Sequence, residues 1–219
     1  MKNLDFLKDY HKNTKRDYYK ERKQGLEKVN FAIKAKQFGR LYWDGDRDYG
    51  YGGYTYDGRW KKLAKRLIKY YKLNNNSKIL DIGCGKGFLI YEIWKILNNK
   101  VYGLEISKYA IANSKKEIRN RIKYGNAKSL PYKNKSFDLA ISINTLHNLE
   151  IEDLFNAISQ INRVAKKKYI VVDSFRNEKE RINLMSWQLT CNALFSVKEW
   201  EWILKTNKYN GDYSFIFYE

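Results

Sequence analysis

The residues best placed to do chemistry lie in ILDIGCGKGFL, positions 79–89. An apolar run ends in Asp81, and Gly83, Cys84, Gly85, Lys86 and Gly87 then lead into a helical pattern. Glycines at such a turn let the backbone pass close beneath a ligand, at the carboxyl edge of a sheet where open α/β folds bind. The spacing narrows the ligand. A dinucleotide turn, G-x-G-x-x-G, needs glycine at 88, where this chain has Phe88, and no G-K-[ST] ending marks a triphosphate loop. A second carboxylate, Glu105, ends the next apolar run 22 residues after Gly83, where it can accept from both ribose hydroxyls. The bland alternatives are a ligand-free turn and a solvated or helix-capping glutamate. The pair at this distance favours a nucleoside ligand.

Further along, Gly125-Asn126-Ala127 precedes LPYKNKSFD, and the run FDLAISI ends at Asn144-Thr145-Leu146-His147-Asn148-Leu149. Asp173 and Ser174 close the run KYIVVD. His147 is the candidate general base should an acceptor need to lose a proton, although a lone histidine in such a motif is more often a packing residue. Asp173 is expected on the acceptor side.

Positioning these residues requires a layered fold. Short apolar runs at 78–83, 100–105, 137–143 and 168–173 alternate with helical patterns such as Leu63, Leu67, Ile68 and Tyr71, or Leu154, Ile158, Ile161 and Ala165. That alternation predicts a parallel sheet with helices on both faces. Near the end, Ser196 and Glu199 form a capping-box pattern ahead of Trp200, Ile203 and Leu204, and YSFIFYE reads as a last strand. The intervening 174–195 carries its own helical pattern, Ile182, Met185 and Leu189, with Trp187 beside them. Two units are expected: 1–60, a helical segment (Leu26, Val29 and Ile33 at helix spacing) with an aromatic, Gly-rich stretch, and 61–219, the binding domain.

Composition bounds the rest. Hydrophobic residues make up 43% of 219, enough for a core, and no apolar run reaches the roughly 18–20 residues of a membrane helix. The N-terminus lacks a signal-peptide core, and two cysteines suggest neither a disulfide framework nor structural zinc, so a cytoplasmic location is expected. The net charge of +19 invites a nucleic-acid reading. The lysines are scattered, however, and the chain is rich in residues that A/T-rich codons encode.

The series D-x-G-x-G-x-G, G-x-E-x-S, G-N-A-x-x-L-P-[FY]-x-x-x-S-F-D and x-L-H-x-L resembles the class I S-adenosylmethionine-dependent methyltransferases, over about residues 61–173. It is most similar to their small-molecule branch, which includes quinone and sterol methyltransferases. The resemblance implies a Rossmann-like, largely parallel sheet of seven strands, or six if the usual closing hairpin is incomplete, with S-adenosyl-L-methionine across the strand ends. It implies that Gly83, Cys84, Gly85 and Gly87 floor the methionine and ribose, with Asp81 at their start. Glu105 would hold the ribose, Ile106 pack on adenine, Asn126 and Ala127 meet the adenine edge, and Asn144 lie beside the methionine. The family often has Asp where this chain has Asn126, so the amide would need local fixing.

The stretch YWDGDRDYGYGGYTYDGRW, 42–60, then reads as a lid over the cofactor. Trp43, Tyr49, Tyr51, Tyr54 and Arg59 would line the acceptor pocket with Asp173 and Trp187, and the glycines would let it close; a rigid packing loop is the competing reading. Its Asp-x-Asp-x-Asp run does not make a calcium loop, because Tyr49 and Thr55 stand where Gly and Glu are needed. No metal is expected. The function expected is methyl transfer to a small polar metabolite, such as a sugar or an amine-bearing compound, by a monomer or homodimer. The alternatives are an RNA methyltransferase and an inactive cofactor-binding subunit.

Overall fold

Strands covered on both faces read as continuous apolar runs, and the four such runs become the centre of one sheet. The computed structural model describes residues 1–8, 16–98 and 100–219. Its strands are β1 (Lys78–Ile82), β2 (Lys100–Glu105), β3 (Ile122–Tyr124), β4 (Phe137–Ile143), β5 (Ala165–Asp173) and β6 (Asp212–Ile216). They stand in the order β3-β2-β1-β4-β5-β6, and every pairing is parallel.

The helices are α1 (Gly25–Ala35), α2 (Arg40–Asp44), α3 (Trp60–Tyr71), α4 (Phe88–Leu97), α5 (Lys108–Ala112), α6 (Lys116–Arg119), α7 (Ile151–Val164), α8 (Glu178–Trp187) and α9 (Val197–Thr206). Successive strand residues feed opposite layers. Leu80, Ile82 and Ile170 pack with Leu154, Ile158 and Trp200 from α7 and α9. Ile79, Val101 and Tyr169 pack on the other face with Leu63, Leu67 and Ile93 from α3 and α4. The predicted capping box of α9 forms, with Ser196 and Glu199 exchanging bonds with each other's backbone amides.

One alternative is decided and one expectation needs revising. The sheet has six strands: among the described residues, 174–195 supplies α8 and no strand, and β6 lies directly beside β5. Residues 2–4 occupy the outer flank of β6 instead, where Leu4 N–H donates to the Tyr213 carbonyl (2.8 Å) and Tyr213 N–H to the Lys2 carbonyl (3.0 Å). This covers part of an edge that would otherwise be an open template for pairing. In α1 and α8, the helices form but the apolar stripes face outward. Leu26, Val29 and Ile33 are exposed, as are Ile182 and Met185, while Ala35 and Leu184 are buried. The buried face is Ala35 in α1 and Glu180, Leu184 and Ser186 in α8, so the apolar stripes gave the wrong phase.

Strand order reverses between β1 and β4, and crevices at such switch points are where open α/β sheets bind ligands. Residues 16–60 form a cap across these strand ends. Within it, α2 leads into a single 3₁₀ turn at Arg47–Tyr49.

Candidate active site

Beneath the cap lies a cavity of about 640 Å³, within the range of small-ligand sites. Its floor is the turn after β1. Gly83 and Gly85 have φ of +74° and +55°, which disfavour a side chain. A Cβ at Gly85 would stand 2.8 Å from the Trp43 ring, and one at Gly83 would meet Thr145. The Cys84 thiol is buried, which pushes its pKa up, so it is an inert wall.

Two carboxylates open on the cavity from adjacent strands. Glu105 accepts from Gly85 N–H (2.7 Å) and Ser107 N–H (2.8 Å), which fixes both its oxygens. Burial raises its pKa, partly offset by those amides. Asp81 is buried and has no hydrogen-bond or ion-pair partner among the described residues. Burial, and then the charge of Glu105, push its pKa up to about 7. A buried, unpaired carboxylate favours a cationic neighbour. Beside Glu105, Ile106 stays 44% exposed and offers an apolar platform. Asn126 also lines the cavity, and its Oδ1 accepts from Lys128 N–H (3.0 Å), so the amide is fixed locally. Asn144 sits past β4 with φ +54°, a left-handed backbone, and its buried Oδ1 lacks a partner. Strain and an orphaned acceptor at a strand end mark a ligand site.

A methyltransferase-domain family model matches residues 73–214. The chain belongs to the class I S-adenosylmethionine-dependent methyltransferases. It is 35% identical over 160 residues to the uncharacterized protein MJ1252 of Methanocaldococcus jannaschii, covering 73% of this chain and 55% of that one. It is 34% identical over 112 residues to ribosomal RNA small subunit methyltransferase C of Buchnera aphidicola (48% and 32% covered). It is 27% identical over 132 residues to 27-O-demethylrifamycin SV methyltransferase of Amycolatopsis mediterranei (57% and 46%). The chain thus spans between a third and just over half of these relatives. Among solved structures, the YcgJ protein of Bacillus subtilis shares the fold, with TM-score 0.56, 20% identity and 66% of each chain covered.

In this methyltransferase the cap is held down by the glycine turn itself. Lys86, 4% exposed, pairs with both Asp44 oxygens (2.6 and 2.7 Å) and donates to the Tyr54 carbonyl (2.8 Å). Asp44 also accepts from Tyr54 N–H and the Tyr109 hydroxyl. Trp43 donates to Ser107 Oγ (2.9 Å), and Tyr51 stacks on its ring at 5.3 Å. Trp43, Tyr51, Tyr54, Arg59 and Trp187 all line the cavity, as do Ala127 and His147.

Two expected lining residues do not. Tyr49 packs edge-on against Phe31 of α1 (4.8 Å) and lies outside the cavity, because the turn at Arg47–Tyr49 points it outward. Asp173 is wholly buried behind the wall. Its Oδ2 accepts from Gln188 Nε2 and from the Tyr218 hydroxyl (3.0 Å), two residues that do line the cavity. His147 is turned toward Asp173. Its Nδ1 accepts Asp173 N–H (3.2 Å), placing the ring proton on Nε2, 3.7 Å from Asp173 Oδ2. Burial lowers its pKa despite the opposing charge of Asp173, so the ring is neutral at pH 7 and its accepting nitrogen is occupied. Sequence reasoning missed Gln188 and Tyr218, which carry no motif, and Arg22 and Arg47, which are lost among 43 Lys and Arg residues. Lys86 did leave a signal: a charge inside an otherwise apolar glycine turn.

Proposed function

We propose that this protein transfers a methyl group from S-adenosylmethionine to a small polar acceptor enclosed beneath the cap. One observation carries the reading: Asp81 and Glu105, buried at adjacent strand ends, open on one cavity with the glycine turn between them. The bound donor supplies a methyl already activated on a sulfonium. Asp81 meets the positive charge at the methionine end, and Asn144 offers its orphaned oxygen there. Glu105 accepts from the ribose hydroxyls, its oxygens pre-aimed by Gly85 and Ser107. Ile106 and Ala127 sandwich the base, and Asn126, held by Lys128, meets its edge. Gly83 and Gly85 keep the floor low, whereas Gly87, expected beside them, lies off the cavity and leaves room for Ile118 and Ile122.

The cap then does what such a reaction asks of the protein: positioning and exclusion of water. Trp43, Tyr51 and Tyr54 close the chamber from above, with Trp187, Gln188 and Tyr218 at its side. No proton acceptor at His147 is invoked, because its Nδ1 is occupied; the ring braces Asp173, which orients Gln188 and Tyr218. Enclosure supports a small acceptor over RNA, since a polymer needs an open groove. The aromatic lining and intact donor side support an active enzyme over a regulatory subunit.

The test is calorimetry with S-adenosylmethionine and S-adenosylhomocysteine on the full chain, followed by labelled methyl transfer into a cell extract. Binding that disappears in Glu105→Ala, with label in small solutes, is expected. No binding, or label confined to RNA, overturns the reading.

A further inference from the structure

Three guanidiniums surround one indole at the acceptor end of the cavity. The Cζ atoms of Arg22, Arg47 and Arg16 lie 4.3, 4.9 and 5.2 Å from the centre of the Trp187 ring, and all three arginines line the cavity. Of the three only Arg22 is buried, while Arg16 and Arg47 line the cavity and also reach solvent. A buried charge is normally paired, and among the described residues Arg22 is not. Arg16 has Glu21 at 3.9 Å, and neither Arg22 nor Arg47 has a carboxylate partner among the described residues. Arg22 is only 8% exposed and gives its terminal nitrogens to the cap carbonyls of Arg47 (2.6 Å) and Gly50 (3.2 Å). Its Nε is buried with no partner among the described residues. Arg47 donates once, to the Tyr51 carbonyl (2.5 Å), which leaves most of its fork uncommitted.

The cations also crowd one another. Burial, and then the charge of Arg47, press the pKa of Arg22 down to about 10; burial and then Arg16 press on Arg47. Carbonyl oxygens and a π face soften such a cluster, but they do not neutralise it. A planar, forked cation beside an enclosed polar chamber is the side chain best matched to an oxyanion.

We propose that the methyl acceptor carries an anionic oxygen group, a carboxylate or a phosphate, held by Arg47 with Arg22 and Arg16 behind it around Trp187. This rests on the methyl-transfer reading of the same cavity. Arg22 fixes the cap segment that carries Arg47, and Arg47 touches the anion. An amine-bearing acceptor is disfavoured, because its charge would add to the crowding. Phosphates of a polymer are disfavoured because Arg22 is buried within the cap.

The test uses the full chain saturated with S-adenosylhomocysteine, whose own binding is measured first by calorimetry. Inorganic phosphate and acetate are then titrated with thermal shift as the readout, against sodium chloride at equal ionic strength. A saturable rise in melting temperature with either probe, weakened at least tenfold in Arg47→Gln, is expected. Arg47→Lys should recover part of it and shows that loss of charge, not of fold, is responsible. In parallel, labelled extract is passed over an anion exchanger. Retained label in small solutes is expected, with a tenfold higher KM in Arg47→Gln and unchanged S-adenosylhomocysteine affinity. Release of that label by phosphatase identifies a phosphate, and continued retention a carboxylate. Label in the flow-through, label that ribonuclease releases from polymer, or probe responses equal in wild type and Arg47→Gln overturns the proposal. Failure of S-adenosylhomocysteine to bind overturns the methyl-transfer reading beneath it.

Discussion

Asp81 makes donor binding a function of pH. In the free protein its pKa is pushed up to about 7, by burial and then by Glu105. The carboxyl is therefore mostly protonated below pH 7, and only the ionised form attracts the positive methionine end of the donor. At pH 5 about one molecule in a hundred carries the charge. Each pH unit below the pKa weakens a binding that requires ionisation by about 1.4 kcal/mol, so the donor Kd at pH 5 should be ~100-fold above its value at pH 8. Binding near pH 6 should release close to one proton. The folding linkage has the matching sign. A carboxyl raised from its ordinary value of 3.8 costs the donor-free fold stability as pH climbs toward 7, on the order of 4 kcal/mol once it is fully ionised. Donor stabilisation should thus be greatest above pH 7. Calorimetry from pH 5 to 8 in buffers of different ionisation enthalpy reads both the Kd and the proton count. Asp81→Asn should bind weakly with a flat profile. A flat profile in the wild type, or a slope that survives in Asp81→Asn, refutes the argument.

The other predictions concern the floor, the cap and the histidine. Glu105→Gln should raise the donor Kd at least tenfold by calorimetry, since one oxygen can no longer accept. Gly85→Ala should lower stability by about 1–2 kcal/mol for its left-handed backbone, and Gly85→Val should also unseat Trp43, seen as a red-shifted tryptophan emission. Lys86→Met leaves Asp44 without its cation; chemical denaturation should show a loss of up to about 3 kcal/mol, discounted for the partial exposure of Asp44, and turnover should fall further than donor affinity. His147→Ala should cost about 1–3 kcal/mol for the unpaired Asp173 amide yet leave the pH–rate profile in place. Loss of the acid-side limb there would restore His147 as a base.

The sheet was legible where strands are buried on both faces, because ILDI, VYGLE, FDLAISI and YIVVD are predominantly apolar runs. β3 was not, since it is three residues with two exposed. The sequence left six or seven strands open; the flank of β6 is taken by residues 2–4 from the far end of the chain, a competition no local pattern encodes. The residues proposed for the donor could be named from sequence because each sits within a few positions of a strand end. The acceptor side is assembled from 16–60 and 187–218, so only tertiary contact brings it together. Tyr49 and Tyr51 are alike in composition and two residues apart, yet one faces α1 and the other stacks on Trp43. Asp173 ends its strand on the expected side but is screened by Tyr218 and Gln188.

The pairing of residues 2–4 with β6 bears on how anything gets in. The segment that roofs the chamber is pinned upstream, at the sheet edge, and downstream, where it runs into α3. A flap fastened along one side swings; a belt buckled at both ends only slackens. Lys86 follows the cavity-lining Gly85 in the chain, so its pair with Asp44 ties the glycine turn directly to the belt. A ligand that shifts that turn would therefore pull on the roof: floor and cover share one fastening.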